Sequence, residues 1–530
     1  MKPRQLIILA LFLLGGFVAF SNILTSYFLS DDFAQIGKVL GGDLSLAWGQ
    51  EHGGFFRPLF ILSYFVDLKI WGPRPVGFHL TNVAFHSLNA FLTYALASRA
   101  VRHLKVTPAI GRSFAIAAGT LFLLHPSHTE AISWISGRAD LMATCFCLAS
   151  LLAYLAYVES QKTSLLMLSL SGFALALLAK ESAICLPFVV LLIGVFAGEM
   201  RRGQRRFLTQ IALYLFILFV FVAVRSGFLG SVVGGYGVSQ HLNFAPGWLR
   251  DRLLEAAVRS VLPVLPLQLS RFLFKPLQSP VFISFTIVCV AAIVGIVILR
   301  RRQYGVAQRA EQNRFLLLLA GLFLISLLPV INLRLTLYQS LGERFLYLPT
   351  VFSCSLMAYV TSLLIRRRAL WLSVLMVVLG FYAVRLYETN QVWREAAVLS
   401  HSIKDQISDL ATGKRLLVIN VPDNLRGVPV FHNGLSEALR DFQNQKQFDQ
   451  IEVLAFQELQ TSADELELQS FDQSQTIHLI NDQGEFARTE TLPCLEILAE
   501  TKTSLELRAK PCLAGTQLFI FDKGRMTLLP

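Results

Sequence analysis

Charge is scarce in this sequence: Asp, Glu, Lys and Arg make up 15% of 530 residues, whereas hydrophobic residues make up 54%. A chain so long and apolar is excluded from the ordinary soluble single domains. Paired cysteines are missing as well. The seven cysteines include no Cys-x-x-Cys pair, and Cys145, Cys147, Cys185, Cys289 and Cys354 lie in apolar runs where a thiol acts as a small hydrophobe. Only Cys494 and Cys512 fall in a polar region, where an oxidising compartment would allow a disulfide. No convincing small-residue cleavage site follows the first apolar stretch, so Leu6 to Phe28 reads as a retained helix rather than a removable signal.

What is present is a series of long apolar runs. A spanning helix needs about 20 apolar residues. Besides the first, candidates lie near 77–98, 113–126, 139–158, 164–180, 182–198, 207–224, 279–299, 315–333, 345–365 and 369–386, about eleven crossings in all. The net charge of +12 divides sharply along the chain: residues 402–530 carry 12 basic and 19 acidic side chains, against 35 and 16 in the first 401. With the amino terminus in the cytoplasm, the clusters Arg99/Arg102/Lys105/Arg112, Arg201/Arg202/Arg205/Arg206, Arg300/Arg301/Arg302/Arg309/Arg314 and Arg366/Arg367/Arg368 fall on one side. That is the positive-inside rule, and it replaces a nucleic-acid reading of the charge. An odd number of crossings sends the carboxyl terminus outside.

The expected architecture is therefore a polytopic α-helical membrane protein. Residues 1–400 form the multi-pass part, with an external loop at 29–76 whose Trp48, Phe55, Phe56 and Trp71 suit the bilayer interface. Residues 247–275 mix Arg and Glu with Leu, Val and Pro, as an interfacial or re-entrant helix on the outer side does. Residues 413–530 read as a small extracytoplasmic α/β or α+β domain. In it, Leu416–Val421 is a strand closed by a turn at Pro422-Asp423-Asn424, Gly434–Phe442 is a helix, and Ile451–Phe456, Thr476–Ile480 and Gln517–Phe521 are strands. No repeat of about 34 residues occurs there.

Ionisable groups at membrane boundaries that are not cytoplasmic anchors are functional candidates. On the outer face lie Asp31 and Asp32 after the first helix, Arg57, His125, His128 and Glu130, Arg138 and Asp140, Lys180 and Glu181, and Glu343, Arg344 and Tyr347. A positioned carboxylate can remove a proton from a hydroxyl, which makes Asp31 and Asp32 candidate bases. Arg57, Arg138, Lys180 and Arg344 can hold an anion such as phosphate. The plain structural alternative for each cation is an ion pair within its own motif: Lys180 with Glu181, Arg344 with Glu343, Arg138 with Asp140. His125 and His128 near Glu130 could ligate a divalent metal, but Pro126 breaks the helix and no third ligand is evident, so hydrogen-bonding or phosphate contacts are preferred and no cofactor is implied. His79 and His86 read as packed within the bundle.

The ordered set Asp31-Asp32, Phe56-Arg57-Pro58-Leu59, Gly77-Phe78-His79-Leu80-Thr81-Asn82, His125-Pro126-Ser127-His128-Thr129-Glu130-Ala131, Gly137-Arg138-Ala139-Asp140, Lys180-Glu181 and Glu343-Arg344-Phe345-Leu346-Tyr347-Leu348-Pro349 resembles the membrane part of the transmembrane and tetratricopeptide-repeat-containing O-mannosyltransferases, C-type (GT-C) glycosyltransferases. The resemblance covers about residues 25–200 and 330–350. It implies an inverting transfer of a sugar, mannose or a like hexose, from an undecaprenyl- or dolichyl-type polyprenyl phosphate to an acceptor on the non-cytoplasmic face, with Asp31 or Asp32 as base. The family carries repeats after its membrane part, whereas this sequence shows one acidic domain. The expected acceptor is accordingly open among protein, glycan and lipid, and the expected location is a bacterial inner membrane. A transporter or flippase of lipid-linked glycans and a membrane-anchored sensor are the competing readings.

Overall fold

A computed structural model describes residues 3–49, 54–103, 112–232, 245–263, 306–333, 341–365, 367–412 and 415–442, the strands that follow up to Leu528, and a few single positions between them. Up to Leu410 it is helical. The runs read as spans from 77–98 onward coincide with the helices Pro75–His103, Arg112–Leu123, Arg138–Ser160, Thr163–Ala179, Leu186–Ala197, Gln204–Leu229, Val306–Leu327, Tyr347–Leu364 and Arg368–Leu410. The run 279–299 and the cysteines 289, 494 and 512 lie outside the described residues. Among those described, five helices are long and apolar enough to cross a membrane, and shorter apolar ones such as Pro3–Ala19 and Thr163–Ala179 pack with them. This is the build of an integral membrane protein.

The two ends of the bundle carry different chemistry. At one, Arg99 pairs with Glu159, Arg206 bonds the Tyr157 hydroxyl and Arg314 bonds the Phe196 carbonyl. At the other lie the motif residues.

The first apolar run departs from expectation. Its helix stops at Ala19, and Ser21–Ile23 is a single tight turn. The Ser21 hydroxyl bonds back to the Val18 carbonyl, while Asn22 receives a bond from Asn390; short polar side chains compete in this way with helix continuation. Asp31 and Asp32 thus do not end the first helix. They open a second, Asp31–Leu40, where carboxylates in the first turn complement the positive end of the helix dipole. The external loop 29–76 likewise contains this helix and another, Pro58–Trp71, begun by a proline whose missing N–H is harmless there. In the stretch 247–275, a helix runs over Pro246–Arg259, and the residues beyond 263 are outside the description.

The helix Arg368–Leu410 has 43 residues, about 65 Å at 1.5 Å per residue, roughly twice a hydrocarbon core of about 30 Å. The expected span 369–386 is only its first part. Its far part carries the strands β1 (Arg415–Leu425), β2 (Val428–Pro429), β3 (Gln450–Leu459), β4 (Glu467–Phe471), β5 (Thr476–Ile480), β6 (Phe486–Arg488), β7 (Leu495–Glu500), β8 (Ser504–Ala509), β9 (Thr516–Asp522) and β10 (Arg525–Leu528). One sheet runs β10-β9-β1-β3-β6 with β2 beside β1, and a second runs β4-β5-β8-β7. β1 is parallel to both β3 and β9, with the helix Leu435–Asp441 in the crossover from β1 to β3. The expected turn at Pro422-Asp423-Asn424 is instead a register shift within β1, where a proline is tolerated. The reversal comes later, at Arg426 and Gly427, both with positive φ as a tight hairpin turn requires.

The sheet shares a core with the bundle. Phe28, Phe33, Trp393 and Ile403 pack in one buried cluster with Leu416, Val418 and Phe431. Removing residues 413–530 uncovers those side chains. The truncated chain is expected to aggregate in detergent or unfold at a lower temperature than the full chain; equal elution and thermal stability would contradict a shared core.

Candidate functional site

Asp32 is the anchor of the motif end. It is 1% exposed. Its Oδ1 accepts from the Ser136 amide at 2.9 Å and the Ser136 hydroxyl at 2.5 Å, and its Oδ2 accepts from the Leu29 amide at 3.1 Å. Burial pushes its carboxyl up to about 7 against those hydrogen bonds, with Asp31 adding to the rise. Asp31, one residue earlier, is only part-buried and accepts a hydrogen bond from the Asn433 side-chain amide. The adjacent carboxylates therefore have different surroundings.

The cations pair between motifs rather than within them. Arg138, fully buried, meets Asp67 Oδ2 at 2.6 Å and donates to Asn82 Oδ1 at 2.8 Å and to the Phe78 carbonyl at 3.0 Å. Lys180 meets Asp140 at 2.6 Å. Arg344 meets Glu130 Oε1 at 3.2 Å and lies 4.5 Å from the centre of the Trp134 ring. Arg57 donates to Glu181 at 2.9 Å, and Glu343 pairs with Arg259. The plain structural alternative for Lys180, Arg344 and Arg138, a pair within its own motif, thus gives way to pairs between motifs. A buried charge needs its partner in contact with good geometry, and each backbone places the neighbouring carboxylate in another direction.

Pro126 turns both imidazoles of its motif inward. His125 bonds the Ser260 carbonyl at 3.1 Å and the Ser127 hydroxyl at 2.7 Å; His128 bonds the Thr350 hydroxyl at 2.6 Å. Both are buried and engaged in these hydrogen bonds, the first of the two roles that the sequence suggested for them. Tyr347 is buried too, its hydroxyl 2.8 Å from His86 Nδ1 and 3.2 Å from Asn89. Among the described residues no three His, Cys, Asp or Glu side chains are grouped to hold a metal ion.

The motif residues thus separate into two sets. Asp32, His125, His128, Glu130, Arg138, Asp140, Lys180, Glu343 and Tyr347 form a buried polar scaffold. Asp31, Arg57, Glu181 and Arg344 stand at its rim, with side chains of Arg57, Glu181 and Arg344 exposed by 11%, 31% and 14%. Sequence reading missed Asp67, Ser136, Asn433 and Arg225, the last close enough to interact electrostatically with Arg57 and Glu181. Asp67 had a signal, a lone carboxylate within the apolar run from Phe60 to Ile70. Asn433 and Ser136 had none.

Comparison with known proteins supports the resemblance drawn from the motifs. The chain is similar to Protein O-mannosyl-transferase Tmtc1 of Drosophila melanogaster, 35% identical over 189 residues, covering 32% of this chain and 20% of that protein. It is 25% identical over 315 residues to Protein O-mannosyl-transferase F38B6.6 of Caenorhabditis elegans, covering 58% and 42%, and 22% identical over 388 residues to human Protein O-mannosyl-transferase TMTC3, covering 65% and 40%. The matches span less than half the length of these curated relatives. No family model matches. A solved structure of ArnT from Cupriavidus metallidurans bound to undecaprenyl phosphate aligns over 96% of this chain and 98% of that one, at 12% identity and a TM-score of 0.39, too loose an overlap to carry an argument.

Two measurements check the scaffold. Removing Asp67 alone leaves Arg138 buried without its partner, a loss of about 3–5 kcal/mol. Asp67→Ala is therefore expected to unfold earlier on heating, and the double variant Asp67→Leu/Arg138→Met to regain part of the loss; a double variant as weak as the sum of the singles removes the pair. For Asp32, a folded-state pKa raised from 3.8 to about 7 means that the native protein binds the extra proton. Its contribution to stability is then lost as pH rises from about 4 to about 7. Asp32→Asn should flatten that part of the stability–pH curve, and an unchanged slope would show that Asp32 does not titrate there.

Proposed function

We propose, from the resemblance to O-mannosyltransferases and the geometry of the rim, that this chain is an integral-membrane glycosyltransferase. It moves a sugar, mannose or a similar hexose, from a polyprenyl-phosphate donor to a hydroxyl acceptor on the non-cytoplasmic face. The observation that carries the reading is the pair Asp31–Asp32, in which a buried carboxylate fastens the turn and its neighbour is only part-buried, as are the side chains of Arg57 and Arg344. The amino terminus lies in the cytoplasm. The end bearing Arg99, Arg206 and Arg314 faces inward by the positive-inside rule, and the sheet domain lies outside, in the periplasm if the membrane is a bacterial inner one.

Asp31 acts as general base. It takes the proton of the acceptor hydroxyl while that oxygen bonds to the anomeric carbon. The bond from the anomeric carbon to the donor phosphate breaks, its electron pair leaves with the phosphate, and the configuration inverts. Arg57 and Arg344 offset the charge that develops on the phosphate, as fixed donors do best where water is excluded. Both already hold carboxylates, Glu181 and Glu130, so phosphate binding involves an exchange or sharing of partners at the rim. The apolar carrier stays in the bilayer beside the helices. Asp32 positions Asp31 by tying the turn to Ser136.

The test is transfer of mannose from a polyprenyl-phosphate-linked donor in membranes containing the full chain. Asp31→Asn is expected to lower kcat by about 10²–10⁴, the range of general-base catalysis, with donor KM little changed. Full activity of Asp31→Asn would end the assignment of the base. Lipid translocation by the reconstituted protein without cleavage of the sugar–phosphate bond would favour a flippase.

A further inference from the structure

The turn that carries Asp31 is not completed by the membrane bundle. The segment that follows β2 in the sheet domain is moulded onto it. The Ser30 amide donates to the Val430 carbonyl at 2.9 Å, and Phe33 stacks on Phe431 with ring centres 5.6 Å apart. Gly434, at φ +84°, approaches so closely that a Cβ there would lie 2.4 Å from the Ser30 carbonyl oxygen. Ser30 itself is held at φ +47°, ψ −115°, a conformation that a residue with a side chain adopts only when its surroundings enforce it. The enforcing contacts come from residues about 400 positions away.

Asn433 sits in the middle of this junction. Its Oδ1 accepts from the Ser30 hydroxyl at 3.0 Å and its Nδ2 donates to Asp31 Oδ1. The amide has only one orientation that suits both partners. An ionised carboxylate accepts but cannot donate, so the NH₂ must face Asp31, and the serine hydroxyl supplies the proton that the amide oxygen needs. One oxygen of Asp31 is thereby fixed, and its Oδ2 is left to meet an incoming hydroxyl. Asn433 and its neighbour His432 are themselves exposed.

We infer that Asn433 is the positioning residue for Asp31, so that the sheet domain completes the acceptor side of the site and receives the acceptor hydroxyl beside Asp31. The inference rests on the proposed function. It gives the sheet domain a task inside the reaction, beyond carrying a separate binding surface. It also places the acceptor's approach at the seam between domain and bundle, on the side where Asp31, His432 and Asn433 reach the surface.

The groups that face Asp31 set what a charge change at position 433 would do. Asp32 adjoins it on its own turn, Tyr64 faces it from the helix Pro58–Trp71, and His432 faces it from the sheet domain. His432 is paired with Asp423 at 2.6 Å. Asp441, from the helix Leu435–Asp441, packs at Gly37, further along the Asp31–Leu40 helix. A carboxylate at 433 would be a new like charge in direct contact with Asp31 and would favour its protonated form.

The experiment uses the full-length protein with polyprenyl-phosphate-linked mannose as donor and membrane acceptors, following kcat, donor KM and the pH profile. Asn433→Ala is expected to lower kcat about tenfold while donor KM stays within twofold. Asn433→Asp is expected to move the acidic limb of the profile upward by about one pH unit, further than Asn433→Ala, which loses the amide donor to Asp31 without adding a like charge. Ser30→Gly, which accepts the positive φ without strain and removes the hydroxyl that orients the amide, is expected to lose about threefold to fivefold in kcat. It decides the matter should the Asn433 variants fail to fold. Wild-type kcat and pH profile in the folded variants overturn the inference. Should Asp31→Asn be inactive while the Asn433 and Ser30 variants match wild type, only this inference fails; should Asp31→Asn be fully active, the proposed base fails first.

Discussion

A charge taken out of water must be paired, and in this chain that requirement assembles the site. Four ion pairs, Arg138–Asp67, Lys180–Asp140, Arg344–Glu130 and Arg259–Glu343, join segments that are 40 to 214 residues apart in sequence. Each has at least one partner almost wholly buried. Breaking such a pair costs about 3–5 kcal/mol because the survivor stays buried, so the helices that carry them cannot drift apart cheaply. Arg138 also gathers the Asn82 side chain and the Phe78 carbonyl, which fixes the helices Pro58–Trp71 and Pro75–His103 against the start of Arg138–Ser160. Gly137, just before it, packs with its Cα face against the Ala131 backbone, where a Cβ would come within 2.5 Å of the Ala131 carbonyl oxygen. That close approach delivers Ser136 to Asp32.

On this frame, adjacency in sequence does not mean equivalence. Asp31 and Asp32 differ by about 100° around a helix, enough to send one carboxylate inward and leave the other at the rim. The inward one accepts three hydrogen bonds and is held in the interior; the outward one is touched by the sheet domain. A general base has to be both reachable and ionised at the working pH. Exposure favours Asp31 for that work, and the hydrogen bonds of Asp32 favour it as the fastening. The rim cations follow the same division, since Arg57 and Arg344 have partly exposed side chains while Arg138 and Lys180 have almost none.

Hydropathy made most of the helices legible, because a run of about 20 apolar residues in lipid has one solution for its backbone hydrogen bonds. It overran at the first helix, where Ser21 and Asn22 look like minor interruptions until their side chains are seen bonding elsewhere. The motif residues were legible as a set but not as pairs. Spacing suggested neighbours such as Lys180 with Glu181, yet side-chain direction sends Lys180 to Asp140 and leaves Glu181 to Arg57. Asn433 was invisible because an asparagine before a glycine reads as an ordinary turn, and nothing local links it to residue 31. In the sheet domain, β1, β3, β5 and β9 showed as β-branched or aromatic runs. β4, β7 and β8 mix Glu, Gln and Arg with Leu, so they lack the apolar stretch by which a strand is recognised.

The long helix Arg368–Leu410 explains how so distant a domain can serve the turn at Asp31. A separate domain on a flexible linker would reach the site only part of the time, at the effective concentration that its tether allows. Here the chain leaves the bundle as an uninterrupted helix, and Ser400 holds the Phe28 carbonyl at 3.0 Å while Gln406 holds the Met526 amide at 2.7 Å. One rigid element thus touches both the segment leading to Asp31 and the last strand of the sheet. Arg426, at the hairpin of β1 and β2, pairs with Glu395 on the same helix. The loop bearing Asn433 follows that hairpin directly, so its position over Asp31 is set from both sides, by the helix beneath it and by the aromatic contact of Phe431 with Phe33. A junction fixed in this way makes the sheet domain part of the architecture that holds the candidate site's turn.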